Sequence, residues 1–169
     1  DALFFITDAV LDSVEEMLPI LEVAARDGRP FVIVAEEIEG QLLAALVMNS
    51  LRGNMKVVAI KVGNYGEERR NTLSDIALTT GATFISKDSG IRLKNITLEH
   101  LGTCKTVEAF KTRTTLAGGG GNPEDIQRKV QALRAEVEQI ESLTEAERIQ
   151  RRITQLAAGG AIIRVGGAT

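Results

Sequence analysis

The chain has no tryptophan, one histidine, one cysteine and three prolines among 169 residues. A lone cysteine, Cys104, excludes an internal disulfide and a metal site built from several thiolates, and it fits a reducing compartment. Lys105 beside it favours the thiolate, but no partner base accompanies it, so an inert thiol is the simpler reading. The lone histidine, His100, sits in TLEHLG without a second histidine or a nucleophile in matching context. It reads as a surface or capping residue. No apolar run approaches the ~18 residues of a membrane span, and no signal peptide is visible. The net charge of −3 leaves no basic footprint for nucleic acid or an anionic membrane.

What is present alternates. LFFIT reads as a strand, followed by a helix from Ser13 with Val14, Met17, Leu18, Leu21 and Ala25 on one face, stopped at Gly28 before Pro30. FVIVA, a helix over 39–51, MKVVAIKV, a helix over 67–80 and TFIS continue the alternation. The βαβα order points to an α/β core with mostly parallel strands. KTVEAFKTRTTL then reads as one or two further strands, as in a hairpin. The run AGGGGNPEDI (117–126) reads as a flexible break before an αα-hairpin, with helices over 123–141 and 144–156, and AIIRVGGAT as a final strand. Strand-like runs at both ends point to a piece of a longer protein.

Sites for bond-making chemistry are not found. A phosphate loop needs Gly-Lys-Ser/Thr or GxGxxG between a strand and a helix. GNYG (63–66) has the wrong spacing and reads as a tight turn, while the four glycines 118–121 resemble a linker. Glu36, Glu37 and Glu39 raise the idea of a carboxylate pair or metal cage, against the plainer reading of a helix start that favours acidic residues. Arg69 and Arg70 read as part of a solvated face.

Surplus apolar surface is the unusual feature. At ~100° per residue, Leu42 and Leu46 of QLLAALVMN lie together, with Leu43 and Val47 in a neighbouring row and Met48 elsewhere again. The arc spans roughly 200°, against the ~100° stripe that suits a helix on one sheet. The first helix likewise adds a partial row at Ile20 and Ala24, with Pro19 inside the pattern. Either both helices are core, or they line an exposed groove.

The segment EEMLPILEVAARDGRPFVIVAEEIEGQLLAALVMNSLRG resembles the apical domain of group I chaperonins (GroEL type). The resemblance continues through VVAIKVGNYGEERRNTLSDIALTTGATFIS, LEHLG and GGAIIRVGGAT. It implies an apical-domain-like βαβ core with a C-terminal helical hairpin (123–157) and a final strand. Residues 1–158 would be an N-terminally truncated apical domain and 159–169 the start of the intermediate domain. It also implies a chaperone function, with non-native polypeptides and a co-chaperonin (GroES-type) lid competing for one two-helix groove. The implied groove residues are Leu18, Leu21 and Glu22 on the first helix and Leu43, Ala45, Val47, Met48 and Asn49 on the second. Leu42 and Leu46 would then face the sheet. Arg29 and Glu36 match an inter-subunit contact of the ring.

ATP and magnesium would belong to an absent equatorial domain, so the resemblance implies an ATPase in the full-length protein and no cofactor or catalysis in this chain. The compartment implied is bacterial cytoplasm, mitochondrial matrix or plastid stroma. The chain departs from the family at Ala45 (usually threonine or serine) and Met48 (usually valine). It also lacks the family's proline in VGNYG and one basic residue in EERRN. The rival readings are a small-molecule or nucleotide-binding α/β enzyme domain, and a structural domain whose groove is filled by its own chain.

Overall fold

The computed structural model describes residues 1–64 and 66–168, with side chains to Arg164. Tyr65, of the expected turn over 63–66, and Thr169 lie outside the described residues. The elements run β1 (Ala2–Thr7), β2 (Val10–Leu11), α1 (Val14–Asp27), β3 (Phe31–Ala35), β4 (Glu37–Ile38), α2 (Gly40–Leu51), β5 (Val57–Val62), α3 (Gly66–Thr80) and β6 (Phe84–Ile85). After 3-10 turns at Lys87–Ser89, Leu93–Asn95 and Leu98–His100 come β7 (Gly102–Ala109), β8 (Arg113–Gly119), α4 (Pro123–Glu138), α5 (Leu143–Ala157) and β9 (Ala161–Ala168). The class is α/β, as expected.

The sheet is mixed rather than mostly parallel. β1–β3, β3–β5 and β1–β6 pair in parallel, whereas β1–β7, β7–β8, β8–β9 and β5–β9 are antiparallel. Its order is β3-β5-β9-β8-β7-β1-β6, and the extra β1–β3 pairing joins β1, β3, β5, β9, β8 and β7 into a closed ring. Side chains alternate across a strand, so the ring has two faces. Phe4, Ile6, Val32, Val34, Ile60, Val62, Cys104, Leu116 and Ile163 fill the inside together with Leu73 and Ile76 of α3. Leu3, Phe5, Phe31 and Ile33 face outward under Met17, Ile20 and Ala24 of α1 and Leu42 and Leu46 of α2. The segment 159–169, assigned by the resemblance to the start of a neighbouring domain, supplies β9, which lies between β5 and β8.

Local chemistry sets the helix ends. The Ser13 hydroxyl accepts from the Glu16 N–H at 3.2 Å, and Glu15 and Glu16 complement the dipole of the first turn of α1. Gly28 closes α1 at φ 85°, its N–H donating to the Ala24 carbonyl at 3.2 Å. Asn122 and Ser142 cap α4 and α5. His100 has the expected capping role: its Nδ1 accepts from the Thr97 N–H at 3.0 Å.

The glycine run is not a flexible break. Gly118 and Gly119 end β8, and the Gly120 and Gly121 N–H groups each donate at 2.9 Å, to the Thr103 and Thr79 carbonyls. A Cβ on Gly119 would meet the Thr79 carbonyl oxygen at 2.2 Å, and one on Gly121 the Leu78 oxygen at 2.0 Å. These glycines let the chain lie directly against the end of α3, a packing need that composition cannot distinguish from a linker.

Candidate functional site

The buried face of α1 is Met17, Ile20 and Ala24. The face expected from the sequence was centred wrongly: Leu18 is 48% exposed, Ala25 is exposed and Leu21 is half-buried. The partial row at Ile20 and Ala24 is the one that meets the sheet. Glu22 is exposed and reaches Arg26 one turn on at 3.9 Å.

On α2 the expected division holds more closely. Leu42 and Leu46 are buried on the sheet, while Val47 is 48% and Met48 50% exposed. Leu43 does not stand clear of the core. It is half-buried and packs against the cluster beneath α1 and α2. Its register explains this, because ~100° per residue places it about 60° from Leu46. Ala45 and Asn49 flank the buried row on its other side, both half-buried, with the Asn49 amide donating to the Ala45 carbonyl at 2.9 Å.

The eight expected groove residues therefore occupy several sides of two helices. One apolar depression of about 180 Å³ lies on the β5 flank of α2, lined by Leu43, Leu46, Val47, Ser50, Leu51, Val57 and Ala59. No α1 residue lines it. The sequence reading missed Leu51, which is 80% exposed and lies one turn beyond Val47. The same wheel that found Val47 would have found it.

The polar candidates are engaged within the chain. Arg29 forks onto Asp27, Nε to Oδ1 at 2.6 Å and Nη2 to Oδ2 at 3.0 Å. The hydrogen bond and charge of that guanidinium hold the Asp27 carboxyl below its ordinary value. Glu36 accepts from Arg69 at 2.9 Å, so Arg69 is a tether and not merely part of a solvated face. Glu37 accepts from Lys61 at 2.6 Å, which holds its carboxyl low as well. Neither glutamate sits in the first turn of α2, so the helix-start reading fails for them. Among the described residues no group of three or more His, Cys, Asp and Glu could hold a metal. The Cys104 thiol is buried and donates to the Ala117 carbonyl at 3.1 Å. No helix among the described residues is long and apolar enough to cross a membrane.

No protein-family model matches the chain.

Proposed function

We propose that this chain is a polypeptide-binding domain of chaperonin type, whose exposed apolar side chains on α1 and α2 capture extended segments of non-native protein. One observation carries the reading. Leu18, Val47, Met48 and Leu51 are all about half exposed or more, on two helices already anchored by fully buried rows. Folding has no use for them in the free chain, because Met17, Ile20, Leu42 and Leu46 satisfy the sheet. Apolar side chains contribute about 25 cal/mol per Å² only when water is removed, so a partner that covers them gains that energy. Met48 adds a flexible, polarizable side chain suited to varied partners.

The resemblance extends the reading to competition between client and a co-chaperonin lid, within an ATP-driven ring of identical subunits when the chain is part of a full-length protein. In that setting Arg29 and Glu36 would exchange their internal partners, Asp27 and Arg69, for a neighbouring subunit.

The test is calorimetric titration with an extended apolar peptide and, separately, with magnesium ATP. Peptide binding that weakens in Val47→Ser and Met48→Ser, with no heat from ATP, is the expected result. Specific micromolar ATP binding with no peptide binding would instead favour the enzyme-domain reading.

A further inference from the structure

Away from α1 and α2, the outer face of β8 and β9 carries an arrangement that folding alone does not favour. Arg113 stands directly opposite Arg164 in the antiparallel register. Their strand neighbours Thr114 and Ile163 are buried, so both arginines point to solvent. Like charges directly opposite each other destabilise a sheet. Among the described residues no carboxylate forms an ion pair with either guanidinium. Glu108, opposite Thr115 on the same face, pairs with neither.

Apolar side chains flank the pair. The Arg113 guanidinium lies over the Phe110 ring, 4.8 Å from its centroid, which favours one orientation of the fork. Phe110 is 46% exposed, and Ile162, two residues from Arg164 on the same face, is 50% exposed.

We infer that this strip binds an acidic peptide segment, its carboxylates seated on the Arg113 and Arg164 guanidinia and an adjacent apolar side chain covering Phe110 or Ile162. Paired guanidinium forks match carboxylate geometry and gain more from it than lysines do. A carboxylate there also removes the repulsion between the arginines. Nucleic acid fits poorly. It needs a broad basic stripe, whereas this chain has a net charge of −3 and Glu108 on the same face. No residue of the strip belongs to the α1–α2 surface, so the inference stands apart from the proposed function.

The experiment titrates the 15N-labelled chain with an acetylated, amidated synthetic peptide of alternating glutamate and leucine. Amide shifts are expected at Phe110, Arg113, Ile162 and Arg164, with affinity falling as salt screens the charges. The double variant Arg113→Gln, Arg164→Gln should bind about tenfold more weakly, a loss of about 1.4 kcal/mol. Its unfolding midpoint should not fall, because a repulsion has been removed. Glu108→Gln should bind more tightly than the parent. Shifts confined to α1 and α2, or none up to about 5 mM peptide, a range weaker than ~4 kcal/mol of binding, would overturn the inference. Inorganic phosphate shifting the same amides as strongly as the peptide would also overturn it, showing a simple anion site.

Discussion

Leu42 and Leu43 are adjacent in sequence and differ in what they stabilise, because one helical step of ~100° carries a side chain from the sheet to its margin. Leu42 is fully buried, so Leu42→Ala should cost about 2–5 kcal/mol of stability, the loss of transfer energy plus a cavity. Val47→Ser, half in water already, should stay within about 0.5 kcal/mol. Leu43→Ser belongs between them at about 1 kcal/mol or somewhat more, since roughly half of a leucine's ~1.5–3 kcal/mol is at stake. Urea titration of the three variants orders them, and a Leu43 variant as stable as the Val47 variant would return Leu43 to the open surface. The glycines supply a second comparison. Gly121→Ala places a methyl group 2.0 Å from the Leu78 oxygen, a rigid backbone atom, so the end of α3 must separate from the chain beside it. Overpacking of this kind costs about 1–3 kcal/mol or more. Gly159→Ala meets open space at φ 69° and should lose only about 1 kcal/mol, as a left-handed alanine does.

Elements are joined by a few charged contacts whose strength depends on pH. Lys61 ties β5 to Glu37 of β4, and Arg29 ties the end of α1 to the approach to β3. Both carboxyls are held below their ordinary values, 4.5 for Glu37 and 3.8 for Asp27. The unfolded chain therefore takes up protons first as pH falls. The stability from these pairs is complete above about 4.5 and is lost as pH drops through the lower folded values. Thermal unfolding followed from pH 6 to pH 3 should show that loss, and Lys61→Met should flatten part of it. An equal slope in the variant would remove Glu37 from the account.

The Arg152–Asp75 pair, 2.7 and 3.1 Å, is less exposed and locks α5 onto α3. None of these pairings was legible in the sequence. Lys61 and Glu37 lie 24 residues apart and Arg152 and Asp75 lie 77 apart, while Arg29 and Asp27, only two apart, carry no local pattern that distinguishes a tethered arginine from a solvated one. Local signals were read well: the αL stop at Gly28, the helix start at Pro123 and the sheet-facing row of α2 all depend on residues within a turn or two. The face of α1 was misjudged because its apolar arc is wide, and periodicity cannot say which part of a wide arc the sheet will cover.

At the scale of the molecule, the composition break at 118–121 marks an insertion, not a boundary after which the chain becomes dispensable. The Gly119 N–H donates to the Gly159 carbonyl at 3.1 Å, so the end of β8 and the approach to β9 touch across the whole α4–α5 excursion. The two helices bury their own stripe of Val130, Leu133, Ile149, Ile153 and Leu156, which meets the ring elements chiefly through Leu78 of α3. β9, by contrast, closes the ring between β5 and β8 and places Ile163 inside it. Two truncations should therefore behave in opposite ways. Ending the chain at Ala158 removes β9, leaves facing edges on β5 and β8 and opens the interior, so cooperative unfolding should be lost. Excising residues 122–158 and joining Gly121 to Gly159 through a short Gly-Ser linker keeps every strand. That variant loses the Arg152–Asp75 pair and exposes Leu78, and it carries Asp75→Asn so that no unpaired charge is left. It should be less stable by several kcal/mol, in line with a lost ion pair and one uncovered leucine. It should nevertheless unfold cooperatively and bind an extended apolar peptide with the affinity of the parent, because no residue of α1, α2 or β5 has changed its neighbours. Circular dichroism melts and peptide titration on the two proteins decide the matter. A cooperative chain ending at Ala158 would show that β9 is peripheral to the fold. A folded excision variant that no longer binds peptide would move the binding surface from α1 and α2 to the helical hairpin.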